Sequence, residues 1–170
     1  MKQILAHWNE LPAEDAALEI VACCGSTAWA QAVAERRPFA DEASLMRASD
    51  EIWSKLNTPD WMEAFSKHQR IGERKAPQLA SARSAAWSTQ EQKEVATAGE
   101  AVQLALAEAN REYERRFNNV FIVCATGKTA PEILEILRRR LRNDDAAELR
   151  EAAEEQRKIT NIRLQKWLSA

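Results

Sequence analysis

The sequence lacks the features that mark membrane, secreted and nucleic-acid-binding proteins. No uncharged run is long enough to span a bilayer, and the first residues, MKQILAHWNELP, do not have the pattern of a signal peptide. The net charge is -2, and the 24 basic and 26 acidic residues are interspersed along most of the chain. We therefore expect a cytoplasmic protein with no membrane partner and no nucleic-acid partner.

Cysteine and glycine are also scarce. The three cysteines, Cys23, Cys24 and Cys124, form no C-x-x-C pair, so we expect buried thiols in a reducing cytosol, with neither a disulfide framework nor a metal site. A phosphate-binding loop at IVCATGKT would need a glycine five residues before Gly127, where Ile122 stands. The sequence therefore does not predict nucleotide binding.

Apolar residues recur at spacings of three and four along most of the chain, which is the pattern of amphipathic helices. Helices are predicted from Pro12 to Gly25, after Ser26, over 41–56, from Thr58 to His68, from Ser88 to about Arg116, from Thr129 to about Arg142, and from Asp144 or Asp145 onward. Residues 74–87 fit no regular pattern beyond one short helix. The run VFIVCATGKT is β-like, but one strand cannot form a sheet. We predict an all-α, single-domain multi-helix bundle over residues 1–170, with one short extended segment near 119–126.

His68 is the first candidate for chemistry. It continues the apolar stripe of Trp61 and Phe65 at helical spacing, which directs its side chain toward the interior. A histidine in that place is more often a hydrogen-bonded core residue than a catalyst, although imidazole is a common general acid or base near neutral pH. The local pattern leaves both interpretations open.

Ser88 and Glu91 have the S-x-x-E spacing of a helix capping box, which favours a structural role for both. Glu91 also lies four residues before Val95 on an apolar stripe, where a buried carboxylate needs a partner or a ligand. Arg163 lies four residues after Ile159, so it points inward in the same way. An internal salt bridge and a substrate contact are both open for this arginine.

The other charged residues of the last helix are predicted to form a solvated face that is paired at i, i+4. They are Glu148, Arg150, Glu151, Glu154, Glu155, Arg157 and Lys158.

Five segments taken together resemble the OHCU decarboxylases, which act on 2-oxo-4-hydroxy-4-carboxy-5-ureidoimidazoline in urate catabolism. In chain order they are CCGSTAWAQAVAERRPF, WMEAFSKHQRIGE, WSTQEQ, FIVCATGKTAPEILEIL and RLRNDDAAELREAAEEQRKITNIRL. The resemblance covers nearly the full length. It implies an all-α homodimer that needs no metal and no organic cofactor and that decarboxylates this small-molecule substrate to (S)-allantoin and CO2.

The same resemblance implies which residues act. His68 and Glu91 match the catalytic pair, and the residues that match substrate contacts are Ser88, Gln92, Phe121, Val123 and Arg163. The backbone around Phe121 and Val123 would help to hold the ureidoimidazoline. The chain departs from the family at Gln69, where proline is common and would restrict the backbone of His68.

Two alternatives stay open. A non-catalytic helical interaction module would pair His68, Glu91 and Arg163 separately within its core. A related cofactor-free decarboxylase that acts on a different ureide would differ near Gln69 and within residues 74–87.

Overall fold

A computed structural model of the chain describes residues 3–72 and 81–170. Within these residues the elements are α1 (Gln3–Glu10), α2 (Ala13–Cys24), α3 (Thr27–Glu35), α4 (Glu42–Lys55), α5 (Thr58–Ser66), α6 (Ala82–Glu91), α7 (Lys93–Ala96), α8 (Glu100–Phe117), α9 (Ala130–Arg140) and α10 (Asp145–Leu168). The described residues include no strand, so the prediction of an all-α fold is confirmed. Across both described ranges, no helix combines the length and apolar composition that crossing a membrane requires.

The chain forms two compact units. The first comprises Met1–Ala64 with Arg157–Ala170, and the second comprises Phe65–Gln156. Helix α10 therefore contributes residues to both units. The single domain expected over residues 1–170 stays a prediction.

In the first unit, α2 and α3 are bounded by the predicted residues Gly25 and Ser26, and α4 begins with a cap that was not predicted. Gly25 ends α2 with a φ of 92°, in the left-handed region that glycine adopts without strain. The hydroxyl of Ser26 then accepts a hydrogen bond from the amide of Trp29 at 3.2 Å and begins α3. Asp41 and Ser44 form a reciprocal capping box at the start of α4. Local sequence therefore fixes where these helices begin and end.

In the second unit, the single long helix predicted from Ser88 to about Arg116 is wrong. Helices α6, α7 and α8 replace it. The hydroxyl of Ser81 accepts a hydrogen bond from the amide of Ser84 at 3.1 Å and begins α6 before the predicted start. Gly99 then separates α7 from α8. The continuous apolar stripe concealed these breaks, because periodicity reports which side of a segment is buried and not whether its backbone is unbroken.

The core of the second unit is built around the buried guanidinium of Arg140, at the end of α9. Arg140 Nε donates to Glu148 Oε1 at 2.9 Å, and its Nη1 donates to the carbonyl of Ile122 at 2.6 Å. The guanidinium also lies 4.6 Å from the ring centre of Phe121 and 6.0 Å from that of Tyr113. Residues 120–125, in neither helix nor strand, therefore pack directly against Arg140, as expected for the extended segment.

The solvated face predicted for α10 is wrong at Glu148. This carboxylate is 2% exposed and accepts hydrogen bonds from Arg140, Asn143 and the hydroxyl of Tyr113. Burial, together with this hydrogen bond to Glu148, raises the pKa of Tyr113. Glu148 is one of seven charged residues in this part of α10, and the charge pattern alone did not show that this one is buried against Arg140.

We expect Arg140→Met to lower the free energy of unfolding by about 3–5 kcal/mol, because it leaves the buried Glu148 carboxylate without its cation. The matched control is Arg139→Gln, which removes the adjacent and exposed ion pair with Glu151. That variant should change stability by less than about 1 kcal/mol. Urea unfolding of both variants measures the difference, and equal losses would contradict the central role of Arg140.

Candidate functional site

His68 lies two residues beyond the end of α5, and not in its last turn as the sequence predicted. Its main-chain amide donates to the carbonyl of Phe65 at 3.1 Å, which closes a final turn after the helix. The side chain is half-buried, and Nε2 lies 2.7 Å from Oε1 of Gln156 on α10. The imidazole is therefore held at the surface of the second unit by a contact from a distant helix.

Ser88 and Glu91 do not form the predicted capping box, because α6 begins six residues before Ser88. Ser88 is a buried residue within that helix, and Glu91 is its last residue and is half-buried. The inward position inferred for Glu91 from the apolar stripe is therefore the better description. Its carboxylate stands at the junction between α6 and α7.

Gln92 occupies this junction and joins it to the segment that follows His68. Its Oε1 accepts a hydrogen bond at 3.0 Å from the amide of Gly72, whose φ of 85° turns the chain at that point. Among residues 3–72 and 81–170, Gln92 Nε2 has no hydrogen-bond partner. One end of this amide therefore holds the protein backbone, while the other end can donate to a ligand.

The extended segment is bonded along one edge. The main-chain carbonyl of Ile122 accepts a hydrogen bond from Arg140. The main-chain amide of Cys124 donates to Glu155 Oε2 at 2.7 Å, and the carbonyl of Cys124 accepts from Lys128 Nζ at 2.7 Å. In an extended chain, alternate residues direct their amides and carbonyls to opposite edges. The main-chain groups of Phe121 and Val123 belong to the other edge.

On that second edge, the backbone groups of Phe121 and Val123 have no hydrogen-bond partner within the described part of the chain. Both side chains are buried in the core, and the ring of Phe121 packs edge-on against Tyr113 at 5.1 Å. Buried main-chain groups are nearly always paired in folded proteins. These two residues therefore offer backbone donors and acceptors to a ligand rather than side chains.

Electrostatics connect Glu91 with the extended segment. Burial raises the pKa of the Cys124 thiol, and the negative charges of Glu155 and Glu91 raise it further, while Lys128 lowers it. Both carboxylates are therefore close enough to influence this thiol.

Six of the seven predicted site residues belong to the second unit, and hydrogen bonds anchor two of them, His68 to Gln156 and Gln92 to Gly72. The turn after His68 joins Gln92 through Gly72, and the adjacent Glu91 influences Cys124 in the extended segment. Two neighbouring residues of α10 contact these segments. Glu155 accepts a hydrogen bond from the amide of Cys124, and Gln156 contacts His68. Ser88, Phe121 and Val123 belong to the same segments.

Arg163, the seventh residue, belongs to the first unit, where it is 1% exposed. It lies near the thiol of Cys24, whose pKa burial raises to about 12. The positive charge of Arg163 lowers this pKa, and the negative charge of Glu63 raises it. The inward orientation predicted for the arginine is correct, and a carboxylate shares its surroundings.

Two surface cavities occur elsewhere, and neither is lined by a predicted site residue. One, of about 640 Å³, lies in the first unit between α2 and α3 and includes Leu18 and Ala30. The other, of about 680 Å³, lies in the second unit and includes Val102 and Leu134.

Within the described residues, no cluster of three or more His, Cys, Asp or Glu side chains could hold a metal ion. All three cysteines lie within the described residues and are buried, as predicted, and none forms a disulfide there.

Sequence patterns missed Gln156, which is fully buried and contacts His68. Its position seven residues before Arg163 places it on the same inward stripe, and that spacing was the available signal. Gln69 is also buried, at 6% exposure, and its Oε1 has no hydrogen-bond partner among the described residues. Its predicted influence on the backbone of His68 stays a prediction.

A family model described as OHCU decarboxylase matches residues 9–165 of this chain. The uric acid degradation bifunctional protein TTL of Arabidopsis thaliana is 35% identical over 147 residues. This alignment covers 86% of the present chain and 45% of the plant protein, so the chain spans less than half of that relative.

Two crystal structures resemble this fold. An OHCU decarboxylase determined in the presence of (S)-allantoin superposes with a TM-score of 0.77 at 34% identity, covering 89% of this chain and 98% of the other. An (S)-allantoin synthase superposes with a TM-score of 0.71 at 16% identity, covering 96% of this chain and 53% of the other. The second similarity is evidence for the fold alone.

We expect Gln69→Met to leave the free energy of unfolding unchanged or to raise it by up to about 2 kcal/mol, because it removes a buried oxygen that has no partner. Gln92→Met is the matched contrast, since its oxygen does accept a hydrogen bond. That variant should lose about 1–2 kcal/mol. Chemical unfolding of the two variants provides the comparison, and a larger loss in Gln69→Met would contradict this assignment.

Proposed function

The chain belongs to the OHCU decarboxylase family, and from this membership we propose that it is a carboxy-lyase of urate catabolism. Its substrate is 2-oxo-4-hydroxy-4-carboxy-5-ureidoimidazoline, and its products are (S)-allantoin and CO2. The observation that supports this most directly is that neighbouring residues of α10 bond both His68, through Gln156, and the Cys124 amide of the extended segment, through Glu155. Gln92 bonds the turn that follows His68, and Glu91 precedes Gln92 in the chain. An imidazole, a carboxylate and free backbone groups in one neighbourhood suit the handling of a small polar ring.

The reaction itself explains why no cofactor is required. When the bond between the ring carbon and the carboxylate breaks, the adjacent C=N of the ring accepts the electron pair. The ring nitrogen that receives this pair takes up one proton. The hydroxyl on the carbon that lost CO2 gives up its proton as the carbonyl forms, and a proton is added to the carbon that carries the ureido group. The protein must therefore move protons and fix the ring, and it need not supply an electron sink.

His68 and Glu91 are the residues we assign to proton transfer. His68 takes the hydroxyl proton or delivers a proton to the ring, and Glu91 is coupled to it. A general acid or base of this kind contributes about 10²–10⁴ in rate. Delivery to one face of the ring gives the single enantiomer, (S)-allantoin, and this requires an imidazole that does not turn freely. The contact of His68 with Gln156 supplies such a restraint.

The remaining residues are assigned to holding the ring and its ureido arm. Gln92 donates through Nε2, Ser88 contributes to the pocket, and the backbone of Phe121 and Val123 supplies donors and acceptors to the substrate. We assign Arg163 to a substrate carbonyl. Placing it against the departing carboxylate would stabilise the ground state and oppose the reaction.

We further propose that the enzyme acts in the cytoplasm as a homodimer. Three buried thiols that form no disulfide among the described residues suit a reducing compartment. The dimer follows from the family resemblance. Sedimentation velocity of the purified chain should give twice the mass of 19.2 kDa, and a monomer at micromolar concentration would contradict the proposal.

The activity is tested by circular dichroism, following substrate freshly generated from urate. We expect the chain to produce enantiomerically pure (S)-allantoin faster than the uncatalysed decay. His68→Ala and Glu91→Gln should each lower kcat by about 10²–10⁴, because each removes a group that handles a proton.

The controls change the same residue types away from the site. His7, the second histidine, is exposed on α1, and Glu94 is exposed on α7. His7→Gln and Glu94→Gln should keep wild-type rates. Full activity in both His68→Ala and Glu91→Gln would refute the catalytic assignment. Absence of activity in the wild-type chain would favour a different ureide or a non-catalytic interaction module.

A further inference from the structure

The contact between His68 and Gln156 specifies more than the position of the ring. Gln156 is fully buried in the second unit, and its Oε1 lies 2.7 Å from Nε2 of His68, a residue 88 positions earlier in the chain. The distance is that of a strong hydrogen bond. Because the amide is completely enclosed, its orientation is set by packing and cannot adapt to the ring as a solvent-exposed glutamine would.

An amide oxygen can only accept a hydrogen bond, so the ring nitrogen that faces it must carry the proton. Neutral imidazole has one protonated nitrogen and one with a lone pair. With hydrogen on Nε2, the lone pair lies on Nδ1. Gln156 thus determines which of the two nitrogens of His68 is basic.

We infer that Gln156 is a positioning residue that holds His68 in the Nε2–H tautomer, so that Nδ1 is the nitrogen that accepts and returns the proton. The inference rests on the catalytic role proposed for His68. It assigns to Gln156 a function that acts through His68. It also defines which side of the imidazole must face the reacting atoms.

A neutral acceptor suits a histidine that must both take and release a proton. The oxygen of Gln156 accepts from Nε2–H in the neutral imidazole and also in the imidazolium, so the ring keeps its orientation throughout the cycle. A carboxylate in the same place would favour the imidazolium and hinder proton release. The amide orients the ring without imposing a charge on it.

Two charged side chains next to Gln156 or His68 in sequence have hydrogen-bond or ion-pair partners of their own. Glu155, the neighbour of Gln156 on α10, accepts the hydrogen bond from the Cys124 amide. Arg70, two residues after His68, forms an ion pair with Glu114. These contacts also fix the elements on either side of the imidazole.

The tautomer can be measured directly, because the chain contains only two histidines. In a His7→Gln background with ¹⁵N-labelled histidine, long-range ¹H–¹⁵N spectra at a pH where the ring is neutral report only His68. We expect a protonated Nε2 and an unprotonated Nδ1. The opposite tautomer in this otherwise unmodified protein would overturn the inference, whether or not any Gln156 variant folds.

Two substitutions at Gln156 separate positioning from simple stability. Gln156→Met should give a mixture of tautomers and lower kcat by about 10–100-fold with a smaller change in KM. Gln156→Glu should retain the Nε2–H proton and move the acidic limb of the pH–rate profile upward by at least about one pH unit. Gln165→Met, at an exposed glutamine of the same helix, is the control and should change neither quantity.

The outcomes distinguish this inference from the proposed function. If the chain lacks decarboxylase activity, the spectra still determine whether Gln156 sets the tautomer. If activity is present but Gln156→Met retains a single Nε2–H tautomer and a wild-type pH profile, the inference fails while the proposed function stands.

Discussion

The second unit depends on one buried cation. Arg140 is 0% exposed, and its guanidinium cannot lose its charge in a protein. The residues packed around it must therefore accept its hydrogen bonds and balance its charge. Glu148 on α10 supplies a carboxylate, Ile122 in the extended segment supplies a carbonyl, and the rings of Phe121 and Tyr113 supply their faces. Three helices and the extended segment therefore meet at one point.

This constraint explains why one edge of the extended segment is bonded to the protein and the other is not. With Ile122 held by Arg140 and Cys124 held by Glu155, one edge of the backbone is fixed to the protein core. The alternate residues then present their main-chain groups on the opposite edge. A helix could not do this, because its amides and carbonyls are consumed within the helix itself. The break in regular structure and the candidate binding edge are thus the same feature.

The sequence predicted the helical class and most boundaries, because caps such as Ser26 and Asp41 act on their own first turn and need no tertiary information. It failed at contacts that the spacing of residue types does not indicate. Glu148 was assigned to the solvent although Arg140 lies only eight residues earlier, because their pairing depends on how α10 follows α9. Ser88 was assigned to a cap that Ser81 in fact provides.

The prediction of site residues was limited in the same way, because it also rested on local patterns. Periodicity alone could say that His68, Glu91 and Arg163 lean inward, but it could not separate a catalyst from a core residue. The resemblance of the combined motifs to a family supplied the prediction that His68 and Glu91 are catalytic. Spacing from Arg163 could have placed Gln156 on the inward stripe, but it could not have revealed the contact with His68, 88 positions earlier.

The hydrogen bond from Gly72 to Gln92 makes two short pieces of sequence interdependent. With a φ of 85°, Gly72 sets the path of the chain that leaves His68, and a larger residue there would strain this turn. Any change to that turn would also reach the junction that carries Glu91. In protein engineering, residues 68–72 and 91–92 should therefore be moved together. If either segment were grafted alone onto another helical scaffold, it would lose the hydrogen bond that joins it to the other.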